Sequence, residues 1–162
     1  MRMTAEPEGL ITRRYHILAG DAPITEISFP LFGPSTATPI AGSVYHLRRT
    51  GVLRDDFMLE SAGGETVAQA RQVSWLRHEF AIESGARRLT LRAAFPLRSE
   101  YLLAEGDRIV GSLRPAGPLW RRVEAELPDD LPVEARVFLL WVVLWLWRRD
   151  QRRRGAATSV GA

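Results

Sequence analysis

The chain has 162 residues, of which 46% are hydrophobic and 25% charged, and these values fit one ordinary globular domain. It contains no cysteine, which excludes disulfides and thiolate metal sites. All 22 basic residues are arginine, and the stretch from Arg148 to Arg154 carries five of them with one aspartate. This stretch has a net charge of +4 in a chain of +3, which leaves −1 elsewhere. Because the excess of positive charge is confined to this one segment, and is not spread over a face of the fold, we expect no nucleic-acid partner.

Residues 1–14 are expected to form an N-terminal arm. They contain no apolar run of the length that a secretory signal needs, so we expect a cytoplasmic protein, peripheral to the inner face of the membrane at most. Between residue 15 and about residue 127, short alternating segments are separated by turn residues. This pattern predicts strands.

Three hairpin-like units follow one another at Phe57–Arg71, Phe80–Ala93 and Tyr101–Arg114. Each opens with an aromatic residue, turns at a glycine and returns through an alternating strand. Such repeats predict an antiparallel meander. Leu89 and Leu91 share one face of their strand, and an apolar sheet face must be covered by another element.

A C-terminal helix is predicted at about residues 131–149, with Asp129 or Asp130 as its cap. Its uninterrupted apolar run, Val137–Trp147, would be about 16 Å long, roughly half of a bilayer's hydrocarbon core. The run is apolar on all sides, so it must be surrounded, and the sheet is its natural partner. The expected core residues are Val137, Phe138, Leu140, Trp141, Leu144, Trp145 and Trp147. The alternative is a tail anchor in which Val137–Trp147 enters the membrane.

Residues 150–162 are expected to form a basic, disordered tail. With the end of the helix they give a candidate contact surface for anions or lipids, made by Arg148, Arg149, Arg152, Arg153 and Arg154.

The sequence resembles the tubby-like C-terminal superfamily, within its LURP-one-related and phospholipid-scramblase-like branch. The resemblance rests on "FMLESAGGETVAQA" from Phe57, "RHEFAIES" from Arg77, "YLLAEGDRIVGSLRP" from Tyr101 and "LPDDLPVEARVFLLWVVLWLWRR" from Leu127. It extends over roughly residues 15–149. It implies a mainly β domain: a closed antiparallel β-barrel of about twelve strands that encloses the C-terminal helix. Tubby proteins bind phosphoinositides through a site that includes lysine, and that site cannot be carried over to this chain.

No residue pattern indicates catalysis, a cofactor or a metal. His16, His46 and His78 do not have ligand spacing, and the phosphate-binding loops and the G-x-S-x-G elbow are missing. Paired arginines occur at 13–14, 48–49, 87–88 and 121–122. Adjacent strand residues face opposite sides, so we interpret these as scattered surface arginines offset by acids such as Glu83, Glu100 and Glu124.

The sequence therefore favours a monomeric, non-enzymatic domain that binds anionic lipid head groups or another anionic partner reversibly. A tail-anchored protein is the first alternative. The second is a small-ligand carrier or enzyme with a pocket at a barrel mouth, near His46 or His78.

Overall fold

The computed structural model describes residues 1–9, 13–30, 33, 35–51, 53–94, 99–117 and 122–158. In this part of the chain there are twelve strands and one helix. The strands are Arg2–Pro7 (β1), Arg14–Ala19 (β2), Ala22–Ser28 (β3), Ser35–Ile40 (β4), Ser43–Thr50 (β5), Asp56–Ser61 (β6), Thr66–Ser74 (β7), Glu79–Ser84 (β8), Arg87–Ala93 (β9), Tyr101–Glu105 (β10), Arg108–Ala116 (β11) and Arg122–Glu126 (β12). The helix, α1, is Val133–Thr158.

The strands form one antiparallel sheet in the order β3-β2-β1-β12-β11-β10-β9-β8-β7-β6-β5-β4. Its two edge strands, β3 and β4, lie side by side but are not paired with each other in the sheet. Side chains bridge them instead: the Thr25 hydroxyl donates to the Pro39 carbonyl (2.5 Å), and the hydroxyls of Ser28 and Thr36 share a hydrogen bond (3.1 Å). We call this junction the β3–β4 seam. The sheet is thus a nearly closed barrel.

The barrel wraps the apolar part of α1. Strand side chains alternate between core and surface. Leu89 and Leu91, two residues apart on β9, both point to the core and are 4% and 0% exposed. From Val137 to Leu144 the helix residues are at most 3% exposed, because strands surround the helix on all sides. Trp145 and Trp147 are half-buried where the helix leaves the barrel. The predicted antiparallel barrel around a hydrophobic C-terminal helix is confirmed.

The two ends of the barrel differ in their connections. At one end, tight turns join β2 to β3, β4 to β5 and β8 to β9, and the amino group of Met1 donates to the Leu127 carbonyl (2.6 Å) near the start of α1. At the other end lie the longer connections, including those from β3 to β4, β5 to β6 and β7 to β8. The helix emerges at this second end, which we call the exit end. Longer connections are where binding residues usually lie.

The N-terminal segment differs from the prediction of an arm. Residues 2–7 form β1, which pairs with both β2 and β12. Met3 and Ala5 point to the core and are 0% exposed. Burial of these two side chains explains why the segment joins the barrel. Residues 10–12 of the expected arm lie outside the described residues.

The C-terminal segment also differs from the prediction. Residues 150–158, expected as a disordered tail, continue α1 to Thr158, because arginine, glutamine and alanine favour helix. Residues 159–162 lie outside the described residues. At the start of the helix, Asp129 pairs with the Met1 amino group (2.6 Å) and Asp130 with Arg87 (2.7 Å), while the Pro132 carbonyl accepts the Arg136 N–H (3.1 Å).

Candidate functional site

A cavity of about 340 Å³ opens at the exit end, beside the emerging helix. Phe29 and Pro30, which follow β3, and Ser35 and Thr36, which begin β4, form one side of it. The cavity therefore lies at the end of the β3–β4 seam, where the barrel is not closed by backbone hydrogen bonds. We call it the exit cavity.

Five arginines line the exit cavity: Arg49, Arg148, Arg149, Arg152 and Arg153. The four from α1 follow from helix geometry, since residues four apart lie one above the other on the same face. Arg49 comes from β5, and its neighbour Arg48 pairs with Glu60 instead. The structure thus brings together four of the five predicted contact arginines. Arg154 is exposed and is not among the described residues that line the cavity.

Aromatic rings hold the guanidinium groups of three of these arginines. Arg49 lies over the Trp145 ring at 4.6 Å from its centroid, and Arg149 lies over the same ring at 5.6 Å. Arg148 lies over Phe29 at 4.7 Å. Stacking on a fixed ring is favourable for a guanidinium and restricts its orientation. These three cations are therefore arranged before any ligand arrives.

A buried carboxylate forms ion pairs with two of the arginines. Asp55, 7% exposed, accepts a hydrogen bond from Arg49 at 3.1 Å and forms an ion pair with Arg149 through its other oxygen. Arg149 also lies 3.4 Å from Asp150. The five lining arginines contribute +5 and these two aspartates −2, which leaves a formal charge of +3.

Burial and neighbouring charges both act on Arg149. Burial lowers the pKa of Arg149, and the charges of Arg153 and Arg49 act in the same direction, while Asp150 opposes them. An anion placed among Arg49, Arg149 and Arg153 would interact favourably with each of these cations.

The floor of the exit cavity is aromatic. Trp141 is 3% exposed, and its ring lies nearly parallel to that of Phe29, with centroids 6.5 Å apart and 12° between the planes. Phe57 contacts the same indole edge-on at 5.5 Å. Within the part of the chain that the structure describes, the buried indole N–H of Trp141 has no hydrogen-bond partner. Among the described residues, the indole N–H of Trp147 and the Nε of Arg49 are unpartnered in the same way.

Sequence reasoning identified the arginines of α1 but missed Arg49, Asp55 and Phe29 as members of one site. In the sequence Arg49 stands out only as half of an arginine pair, and no local pattern around Asp55 indicates a binding role. Trp141 was expected in the core, without a role in a cavity.

A second cavity, of about 610 Å³, lies beside the β7–β8 connection and is lined by Leu76, His78, Arg92 and Leu102 among others. Trp75 and Leu76 in that connection are 73% and 66% exposed. The cavity has an apolar side but fewer charged groups than the exit cavity.

The three histidines lie apart from one another. His16 is on β2, His46 is exposed on β5, and His78 is in the β7–β8 connection. Among the described residues, His16, Glu8 and Glu26 form an exposed group whose ligand atoms lie within 4.8 Å of one another. Arg14 approaches both carboxylates, at 3.9 and 3.8 Å, and offsets one of their two negative charges.

Other paired arginines are offset by acids on the barrel surface. Arg87 pairs with Glu105 at 3.1 Å, and Arg122 pairs with Glu6 at 3.3 Å. Arg121 lies outside the described residues.

Comparisons of the chain with protein-family models, curated proteins and solved structures find no match. The resemblance to the tubby-like superfamily therefore stays a prediction. Among the described residues, no helix is both long enough and apolar enough to cross a membrane.

Proposed function

We propose that this protein is a non-catalytic binding domain that associates reversibly with anionic lipid head groups through the exit cavity. The observation that supports the proposal is the convergence of five arginines on one cavity of about 340 Å³. The planar fork of arginine suits the oxygens of phosphate and carboxylate groups. A head group bound there would offset the formal charge of +3.

The arrangement of the site reduces the entropy lost on binding. Arg49 and Arg149 are fixed by Asp55 and by the Trp145 ring, and Arg148 is fixed by the Phe29 ring. Long side chains that are already ordered lose less freedom when they bind a ligand. Arg152 and Arg153, which are exposed, add charge at the entrance.

The expected affinity is weak. An arginine near an anionic membrane contributes about 1 kcal/mol, so the four lining arginines of α1 would contribute about 4 kcal/mol. That sum corresponds to a dissociation constant of about 1 mM for one molecule at an isolated site. Association of this kind is reversible and is weakened by salt.

Cosedimentation with lipid vesicles tests the proposal. The full chain should pellet with vesicles that contain phosphatidylserine and stay in the supernatant with vesicles of phosphatidylcholine alone. Raising the salt from about 0.05 M to about 0.5 M should release it, since the screening length shortens. Equal binding to both vesicle types, or binding that salt does not change, would refute the proposal.

A pair of double variants locates the contact. Arg152→Gln with Arg153→Gln removes two charges at the exit cavity, and Arg88→Gln with Arg108→Gln removes two exposed charges near the opposite end of the barrel. The first double variant should lose most of the vesicle binding and the second should keep it. Equal loss in both would mean that net charge alone determines the binding.

A further inference from the structure

We infer that the exit cavity takes a single small amphiphilic anion, with its charged group on the arginines and its apolar part against Phe29 and Trp141. This inference rests on the proposed recognition of anions at the cavity. Beyond that proposal, it specifies the class of ligand and the side chains that its apolar part contacts.

The walls of the cavity have two chemistries. The outer part presents guanidinium groups, and the inner part presents the rings of Phe29 and Trp141, which are 7% and 3% exposed. Arg148, stacked on Phe29, lies where the two parts meet. A bare phosphate would use only the outer part, whereas a molecule with a charged head and a flat apolar body would use both.

The position of the cavity at the β3–β4 seam gives the apolar part of the ligand a route into the cavity. Neighbouring strands in the sheet order are joined by backbone ladders, but β3 and β4 are bridged by side chains of Thr25, Ser28 and Thr36. Thr36 both bridges the seam and lines the cavity. Each such side-chain hydrogen bond contributes little to stability, so the seam can widen at its exit end without breaking backbone hydrogen bonds between strands.

Trp141 lines the cavity and offers an unpaired indole N–H that a ligand could use. The side chain is 3% exposed and lines the cavity, and its N–H has no partner among the described residues. Leaving a buried donor unpaired is unfavourable, and a ligand with an oxygen acceptor next to its apolar part would relieve this cost. An ester oxygen that links a phosphate to a ring has this position.

The size of the cavity limits the ligand to one small molecule. About 340 Å³ is near the lower end of the range for small-molecule sites. Saturation at one ligand per chain is therefore expected.

Calorimetric titration of the full chain with three compounds tests the inference. 1-Naphthyl phosphate carries both an anion and an apolar ring, inorganic phosphate carries only the anion, and 1-naphthol carries only the ring. We expect 1-naphthyl phosphate to bind with a stoichiometry of one and at least about tenfold more tightly than either of the others, a difference of about 1.4 kcal/mol.

Variants test the place of the apolar part. Trp141→Phe keeps an aromatic ring and removes the N–H, and it should weaken 1-naphthyl phosphate binding about fivefold or more, with little effect on inorganic phosphate. Trp75→Phe changes a tryptophan that is 73% exposed and outside the cavity lining, and it should leave the titration unchanged. The series of three ligands on the unaltered chain remains decisive if Trp141→Phe does not fold.

The outcomes separate this inference from the proposed function. Equal affinity for 1-naphthyl phosphate and inorganic phosphate, or non-saturable binding, would overturn the inference and leave anion binding in place. If none of the three compounds binds but phosphatidylserine vesicles do, the inference falls and the proposed function stands. If the vesicles also fail, both fall.

Discussion

Arg149, near the end of the enclosed part of α1, forms an ion pair with Asp55 in the connection between β5 and β6. The two side chains are 14% and 10% exposed, so the pair is largely withdrawn from water. This ion pair links the helix to the barrel wall at the point where the helix emerges. It also orients one of the arginines that line the exit cavity.

Asp55→Asn is expected to destabilise the fold. The variant leaves Arg49 and Arg149 without their shared carboxylate, and removal of one partner of a largely buried ion pair should cost about 2–4 kcal/mol. The free energy of unfolding in urea measures the effect. Asp107→Asn, at an exposed turn, should change stability by less than about 0.5 kcal/mol. Similar values for both variants would show that the Asp55 pair contributes little.

Gly111→Ala is expected to destabilise the barrel where β11 meets β12. A Cβ atom at this position would lie 2.6 Å from the Glu126 carbonyl oxygen, which belongs to the backbone of β12 and cannot move freely. The expected loss is about 1–3 kcal/mol. Gly155→Ala is the matched control, because nothing lies within 4 Å of a Cβ there. That change should stabilise the helix by up to about 1 kcal/mol, and thermal unfolding would show shifts of opposite sign.

Ala41→Asn is expected to stabilise the protein. Ala41 and Gly42 connect β4 to β5 with φ of 49° and 82°, a type I′ turn in which alanine is strained and asparagine is favoured. The expected gain is about 0.5–1 kcal/mol in the free energy of unfolding. Ala86→Asn, in the turn between β8 and β9, lacks this strain and should give no comparable gain. A loss of stability in Ala41→Asn would contradict the turn geometry.

Glu124 is expected to make stability sensitive to acid. Its hydrogen bond with Arg114 has the largest effect and lowers the pKa of its carboxyl. Burial acts in the opposite direction, and Arg2 lowers the pKa further. Because the pKa is lower in the folded state, the stabilising contribution is present at neutral pH and lost as the pH falls below about 4. Unfolding of the unaltered chain and of Glu124→Gln should therefore differ at pH 7 and converge near pH 3. A constant difference across this range would contradict the assignment.

The sequence was sufficient to predict the barrel around the helix, because Val137–Trp147 is apolar on every face and too short to span a bilayer. It was not sufficient to place residues 2–7. The partners of β1 include β12, more than a hundred residues away, and so distant a pairing leaves no local pattern. The extension of α1 to Thr158 was missed because a run of arginines indicates charge more strongly than helix.

The candidate site was predicted only in part, for a similar physical reason. The arginines of α1 are adjacent in the sequence, and helical spacing places them on neighbouring faces. Arg49 and Asp55 join them through the register of β5 and the fold of the next connection, which depend on the assembled barrel. The cavity itself depends on the open β3–β4 seam, which no short stretch of sequence indicates.

Nuclear magnetic resonance of the arginine side-chain N–H groups, recorded as pyrophosphate is added, shows directly whether the exit cavity is the anion site. We expect saturable shifts at Arg49, Arg148 and Arg152, with Arg88 and Arg108 unchanged. Shifts spread equally over all of these arginines, or confined to Arg88 and Arg108, would contradict this expectation.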